Sequence, residues 1–274
     1  MDFSMGYSPE QEAFRIAART WLAEYAPTGL TVPADGGPLN AETQEKVKAF
    51  RRILGEKGWL APSWPKEYGG GGLSRELDLI LMQEMRELEL PSMGDNTRWI
   101  PAMMVWGSEE QKRRFVEPCL RGKTITWQAF NEPDSGSDFA TVHTRAAPEE
   151  GGYRINGSKA FITGRFDPDF MVTLAVTDPE RPRRMNLGVF MVDANLPGVS
   201  IKTMRMLMGS ERRVYFDDVF VTDDCLLGPP YQGWEIAQSI IEAERGGTAF
   251  RISEDGTIES IYSYLRSQRS EQDG

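Results

Sequence analysis

The stretch Thr126-Trp127-Gln128-Ala129-Phe130-Asn131-Glu132-Pro133-Asp134-Ser135-Gly136-Ser137-Asp138-Phe139-Ala140 changes character partway along. Together with Thr124 and Ile125 just before it, Thr126, Trp127 and Phe130 are β-branched or aromatic, the composition of a strand. Residues 131–138 are all turn-forming or small and polar, the composition of a loop. An edge-forming strand therefore opens into a polar loop with free backbone N–H groups. Pro133 fixes one φ and removes one donor, Gly136 permits positive φ and close approach, and Ser135 and Ser137 add hydroxyls. Such a loop suits an anionic or heteroaromatic ligand. The same residue types also build ordinary turns.

Upstream of this stretch the periodicity is helical. Ser8-Pro9-Glu10-Gln11 reads as an N-cap, a proline at the first helical position and a capping-box glutamine, after which Phe14, Ala17, Trp21, Leu22 and Tyr25 recur on one face. A Gly- and Pro-rich loop over 27–38 precedes a second helix over 40–57, with Val47, Phe50, Ile53 and Leu54 inward and Gly58 as its stop. The glycines Gly69-Gly70-Gly71-Gly72 break the pattern before Ser74 caps a third helix carrying Leu77, Ile80, Leu81, Met85 and Leu88. A shorter helix is placed near 96–105. Ser108 and Gln111 form another capping box, opening a helix that carries Phe115, Val116 and Leu120 and stops at Gly122.

Downstream the pattern becomes short β-branched or alternating segments, near 141–147, 153–156, 160–163, 170–177, 187–192, 199–204, 213–216 and 219–221. Turn clusters such as Glu149-Glu150-Gly151-Gly152 and Asn195-Leu196-Pro197-Gly198 separate them. Many short strands without intervening helices imply a small antiparallel barrel or sandwich. Helix returns over 233–250, with Trp234, Ile236, Ala237, Ile240 and Ile241, and a final polar helix is placed over 258–269.

With 274 residues and 40% hydrophobic content the chain can bury one large core or two ordinary ones. A net charge of −10 argues against a nucleic-acid or anionic-membrane surface, and the basic clusters Lys112-Arg113-Arg114 and Arg181-Pro182-Arg183-Arg184 read as solvated surface. Two cysteines, Cys119 and Cys225, make neither a disulfide framework nor a metal site and fit a reducing cytosol, so the expected location is cytoplasmic. His143 is the only histidine, which excludes a multi-histidine metal centre, and it reads as an ordinary strand residue. No apolar run reaches bilayer length and the N-terminus lacks a basic-then-apolar leader, so a soluble, untargeted protein is expected.

The run Phe130-Asn131-Glu132-Pro133 followed by Gly136-Ser137-Asp138 resembles the first signature of the acyl-CoA dehydrogenase family, flavoenzymes that oxidise acyl-CoA thioesters to enoyl-CoAs. Further similar segments follow the family's order: Trp64-Pro65-Lys66-Glu67-Tyr68-Gly69-Gly70, Gly107-Ser108-Glu109-Glu110-Gln111-Lys112, Asn156-Gly157-Ser158-Lys159-Ala160-Phe161-Ile162-Thr163, Phe216-Asp217-Asp218-Val219 and Gly233-Trp234-Glu235-Ile236-Ala237. The resemblance implies an α+β multidomain fold: an N-terminal helical domain over 1–122, a middle antiparallel β-barrel or sandwich domain over 123–230, and over 231–274 the first helix or helices of an incomplete C-terminal helical domain. In the family that last domain is a four-helix bundle which completes the flavin site and forms most of the oligomer contacts.

Removing hydrogen across two carbons needs a base for the α-proton and an acceptor for the β-hydride, and no side chain accepts hydride. The sequence has no Gly-x-Gly-x-x-Gly turn, which disfavours a Rossmann site. The resemblance implies FAD bound along residues 128–137, with Gln128 and Phe130 lining it, Asn131 at the pyrimidine edge and Ser137 near the pyrophosphate and the substrate. Asn131 departs from the Ser or Thr usual in the family but still donates a hydrogen bond. Phe161-Ile162-Thr163-Gly164 is similar to the family's Trp-Ile-Thr-Asn segment, so Phe161 is expected to pack on the ring and Thr163 to bond its N5; as residue types alone they also make a plain strand. Glu242-Ala243-Glu244-Arg245-Gly246-Gly247 occupies one of the family's two positions for the catalytic glutamate. Glu244 is the implied base, with Arg245 near the CoA portion and Glu242 also within reach of the ligand. The bland reading of the same run is a charged helix face.

The expected function is FAD-dependent α,β-dehydrogenation of an acyl-CoA, by this chain alone or as the catalytic chain of a hetero-oligomer, with an electron-transfer flavoprotein as reoxidant. The expected partner is a second copy or another acyl-CoA dehydrogenase-like chain. Two alternatives stay open: a non-catalytic partner subunit, and a flavin monooxygenase on the same fold, which does not need Glu244.

Overall fold

The structure, a computed structural model, describes residues 6–33, 38–88, 90, 91, 93, 97–164, 166–207 and 209–246. The first helices are α1 (Pro9–Tyr25), α2 (Ala41–Glu56) and α3 (Arg75–Arg86). Two start on the caps that the sequence marks and one on a residue it places inside the helix: Ser8, Ser74 and Asn40 each accept the N–H of the residue three positions on, satisfying a donor that the first turn leaves orphaned. Ser8 and Ser108 both complete capping boxes with glutamine. Ala18, Leu22, Phe50, Leu54, Trp59 and Leu81 form the core among these helices.

The next helix, α4 (Ile100–Trp106), starts later than the predicted 96–105, and residue 96 lies outside the described residues. A continuous helical rod follows: α5 (Glu109–Gln111), a π-helical segment Lys112–Val116, and α6 (Glu117–Leu120). Gln111 fixes this rod to the later chain, because its amide donates to the carbonyls of Asp224 and Leu226 at 2.9 and 2.8 Å.

The β domain is one sheet of eight strands: β1 (Thr126–Ala129), β2 (Arg145–Glu149), β3 (Gly152–Ile162), β4 (Phe170–Val176), β5 (Leu187–Asp193), β6 (Val199–Arg205), β7 (Ser210–Thr222) and β8 (Leu226–Leu227). The strand order is β6-β7-β3-β2-β4-β5-β8, with β1 pairing β4. Most neighbours are antiparallel, whereas β1–β4 and the single β2–β4 bridge are parallel. Along β4, Val172 and Leu174 face a core shared with the α4–α6 region, while Met171 and Ala175 face a second core with Trp127, Phe190 and Val214. Both sheet faces are thus buried at β4, as the period-2 geometry of a strand permits.

The structure corrects the predicted strands in three places. Segments 153–156 and 160–163 are one strand, β3, and segments 213–216 and 219–221 are one strand, β7. The residues that look like turns are bulges. Gly157 sits at φ +146, where an added Cβ would lie 2.6 Å from Thr144 Oγ1, and the register shifts between Ile155 and Gly157. Asp218, at φ +55, donates its N–H to Asn156 Oδ1 at 2.8 Å, so the irregularities of β3 and β7 hold each other. The third correction is 141–147: the strand begins only at Arg145, because the Glu132 carboxylate takes the N–H groups of His143 and Thr144. His143 is therefore a loop residue rather than a strand residue.

Helix α7 (Gly233–Gly246) returns across α4 and β5. Its Ile236, Ala237 and Ile240 complete the core shared by α4–α6 and β4–β5. A side chain at Gly233 would run into the Leu187 backbone, 2.5 Å from its carbonyl carbon. Helix 233–250 is thus seen to Gly246, and the predicted helix 258–269 lies outside the described residues. Among the described residues no helix is long and apolar enough to cross a membrane.

Candidate functional site

The loop leaving β1 is more constrained than its polar composition suggests. Glu132 and Ser135 bond each other through N–H and C=O at 3.0 and 3.3 Å, and the Asp138 carboxylate accepts the Ala140 N–H at 3.1 Å. Ser135 is buried, its hydroxyl 2.7 Å from that of Thr141, whereas Ser137 is exposed. Gly136 does not use the positive φ that the sequence reading gave it, and an added Cβ there meets nothing within 4 Å. The chain itself gives no steric reason for that glycine.

Two charged residues that sequence reasoning passed over anchor the loop. Lys159, fully buried on β3, donates to the Phe130 carbonyl at 3.1 Å and to Glu132 Oε1 at 2.8 Å. Glu132, 5% exposed, also accepts the His143 and Thr144 N–H groups at 2.6 and 2.9 Å. Burial pulls the Lys159 ammonium down to about 8, against the opposing pull of Glu132. Burial pushes Glu132 upward, but Lys159 and the Thr144 and His143 donors outweigh it and leave the carboxylate below its usual range. The asymmetry is physical, since the carboxylate has backbone donors as well as Lys159, while the ammonium adds only one carbonyl. For Lys159 the signal in the sequence is a lysine between Ser158 and the apolar Ala160-Phe161-Ile162 run.

Of the residues expected along a flavin, Gln128, Phe130 and Asn131 lie on or just after β1, Ser137 in the loop beyond it, and Phe161 and Thr163 on or just after β3. The Asn131 carbonyl accepts the Ala160 N–H at 2.9 Å, which sets the loop beside the strand just before Phe161. Gln128 and Asn131 are half-buried. The Phe130 ring is buried against Phe139, so its ring faces the core while its carbonyl meets Lys159. Phe161 is 50% exposed and holds φ +57 within the register shift between Lys159 and Ile162. A bulky residue in the left-handed region is uncommon and costs energy unless its surroundings impose it. Thr163 is exposed, and its hydroxyl donates to Glu211 Oε1 at 3.2 Å. Gly164 is glycine for a packing reason: a Cβ there would lie 2.5 Å from the Trp127 indole.

The residues expected at the base lie on another element. Near the end of α7, Glu244 Oε1 accepts a hydrogen bond from Arg98 at 2.5 Å, with the two side chains 37% and 41% exposed respectively. Glu242 is exposed. Arg245 lies in the helix, and its side chain falls outside the described residues. Arg98 comes from the turn before α4, and no local pattern pairs it with a carboxylate 146 positions away.

Two family models match the chain, the acyl-CoA dehydrogenase N-terminal domain over residues 8–123 and the acyl-CoA dehydrogenase middle domain over residues 128–219. The chain belongs to the acyl-CoA dehydrogenase family, whose members are FAD-binding flavoproteins. It is 31% identical to acyl-CoA dehydrogenase FadE34 of Mycobacterium tuberculosis, over 89% of this chain and 34% of that protein. It is also 31% identical to acyl-CoA dehydrogenase IpdE1 of the same organism, over 86% of this chain and 63% of that protein. Among solved structures, the Tcur3481-Tcur3483 steroid ACAD matches with a TM-score of 0.78 and 26% identity, over 97% of this chain and 69% of that one. The ChsE4-ChsE5 complex from Mycobacterium tuberculosis matches with a TM-score of 0.69 and 25% identity, over 89% and 61%. The chain thus spans 34% and 63% of the two curated relatives.

Proposed function

We propose that this chain binds FAD in its middle domain and takes part in α,β-dehydrogenation of an acyl-CoA, as one chain of a complex with an acyl-CoA dehydrogenase-like partner. The single observation that carries the reading is Phe161: β3 presents an aromatic ring, half exposed and in a left-handed backbone, beside a loop clamped to the same strand. A flat heteroaromatic group needs such a flat face with hydrogen-bonding groups at its rim, for which Asn131, Gln128 and Thr163 are the candidates, the Thr163 hydroxyl first having to turn from Glu211 in order to donate. The residues present fit FAD on that ground. FAD, when bound, supplies the hydride acceptor that no side chain offers. The Phe161 ring would pack against the flat ring system, and the exposed Ser137 with its loop neighbours would serve its phosphates or the thioester.

Glu244 is the proposed base for the α-proton. Arg98 holds its carboxylate near the end of α7, so a substrate must share or displace that contact before the carboxylate reaches the α-carbon. Glu242 and Arg245 flank it as candidate substrate contacts, and an electron-transfer flavoprotein is the proposed reoxidant. The partner chain is supported by the similarity to solved structures that pair two named chains.

A second reading is favoured by the same ion pair. Glu244 is held in an ion pair with Arg98, and a carboxylate tied up in such a pair also suits a chain that supports a catalytic partner and does no chemistry of its own. One measurement separates the two: the visible spectrum of the protein, alone and with a co-expressed homologous chain, supplied with FAD and kept from air, before and after acyl-CoAs are added. The panel varies chain length and branching and includes a steroid thioester, because one structural neighbour is a steroid ACAD. Bleaching of the flavin band that Glu244→Gln slows by two to four orders of magnitude, the usual worth of a positioned base, supports the catalytic reading. Bleaching indifferent to Glu244→Gln moves the chemistry to the partner chain.

A further inference from the structure

Lysine is almost never removed from water unless something pairs with it, and Lys159 has no exposed surface. Its ammonium joins two residues of the loop, the Phe130 carbonyl and the Glu132 carboxylate, while Glu132 holds the His143 and Thr144 N–H groups on its other side. Three backbone stretches distant in sequence, at 130–132, 143–144 and 159–160, are tied at one point. The Ala160 N–H on the Asn131 carbonyl closes the ring. Phe161 is the next residue along β3.

A buried ion pair is a poor route to stability, because an apolar pair of similar volume does as well or better. Here the pair holds the near end of the loop and the strand at one spacing, immediately before a phenylalanine whose left-handed backbone needs outside support. We propose that Glu132 and Lys159 are positioning residues: the pair sets the loop 130–138 against Phe161 and so shapes the flavin-facing surface without touching the cofactor. The proposal deepens the reading above and rests on it. The titratable groups that the pair faces are each other and the exposed His143 imidazole, whose Nδ1 stands 3.5 Å from Glu132 Oε2.

The test must separate positioning from stability. Lys159→Met leaves the Glu132 carboxylate buried without its cation, so its melting temperature should fall steeply. The double variant Glu132→Gln/Lys159→Met buries no charge and keeps an acceptor for the Thr144 N–H, so most of that loss should return. FAD affinity is read in each protein by flavin fluorescence, and hydrogen exchange by mass spectrometry over 130–144 and over β4–β5. The expected result is a double variant that melts close to wild type, binds FAD at least tenfold more weakly, and exchanges at least tenfold faster over 130–144 with β4–β5 unchanged. A double variant that melts, binds and exchanges like wild type overturns the positioning role. If the double variant does not recover, Glu132→Gln alone is compared below its own melting temperature, and wild-type affinity and exchange there overturn it equally. If the wild type takes up no FAD, the flavin reading fails separately, and exchange alone then decides whether the pair sets the loop.

Discussion

Replacing Lys159 with methionine should lower stability by about 3–5 kcal/mol at neutral pH, the usual cost of removing one partner from a buried ion pair. The structure puts this change at the damaging end. Lys159 is fully buried and Glu132 5% exposed, so water does little for the carboxylate that is left, whose nearest other titratable group is the His143 imidazole at 3.5 Å. Glu132 would keep only its two backbone donors, and the Phe130 carbonyl would lose its bond to Nζ at 3.1 Å. At roughly 2–4 °C per kcal/mol for a domain of this size, the melting temperature falls by about 6–20 °C. Calorimetry against wild type measures it, and a loss of under about 2 °C refutes the assignment of a charged, paired lysine. The pH dependence gives a second check with a definite sign. Lys159 lies at about 8 when folded, below its ordinary value of 10.5, because burial outweighs the attraction of Glu132. Between those two values the unfolded chain binds a proton that the folded chain has released, so wild-type stability rises with pH relative to Lys159→Met. Below about 8 both states hold the proton and the burial penalty is fully present. The whole rise is on the order of 3 kcal/mol, and a gap between the two proteins that stays flat or shrinks from pH 8 to pH 10.5 contradicts the reasoning.

Three smaller substitutions probe the same neighbourhood. Phe161→Gly removes the penalty of a left-handed phenylalanine, at φ +57, from a side chain already 50% exposed, so thermal stability should hold or rise by up to about 1 kcal/mol. FAD binding should weaken at the same time, and a variant that is both less stable and unchanged in FAD affinity reverses the expected trade. Gly164→Ala drives a Cβ to 2.5 Å from the buried Trp127 indole and should cost about 1–3 kcal/mol, visible as a lower melting temperature and a shift in tryptophan emission. Gly136→Ala meets nothing within 4 Å and should leave the melting temperature within about 2 °C of wild type. If a ligand approaches that loop closely, Gly136→Ala still weakens FAD binding, and an unchanged dissociation constant means the loop backbone lies away from the cofactor.

Much of the fold was legible because local signals decide it. Ser8, Ser74 and Ser108 cap helices where the sequence places them, since a capping side chain acts on the residue three positions on and needs no tertiary partner. The strands were found but wrongly divided, because Gly157 and Asp217-Asp218 carry the composition of turns and the geometry of bulges. Only the partner strand distinguishes these, as when Asn156 captures the Asp218 N–H. The late start of β2 is of the same kind, because Glu132 withdraws two N–H groups from the ladder and nothing near residue 143 announces it. For the site, the loop and the Phe161 segment were legible as composition. Their assembly was not, because Lys159 and Glu132 lie 27 positions apart and Arg98 and Glu244 146.

The two halves of the proposed site differ in kind. Between residues 130 and 164 the chain breaks local rules repeatedly, with a fully buried lysine, a left-handed phenylalanine half open to solvent, and a glycine seated on an indole. Each costs stability taken alone, and departures of that sort persist where something other than folding requires them. Around Glu244 the chemistry is ordinary, a part-exposed ion pair between a helix and the turn before α4, worth at most about 1 kcal/mol. The costly features therefore argue for a ligand surface on the middle domain more strongly than α7 argues for a base. A chain that keeps the proposed ligand surface while a partner completes the chemistry is consistent with both halves. The response of substrate-driven bleaching to Glu244→Gln thus carries more information than loss of FAD binding, because it alone separates a catalytic chain from a supporting one.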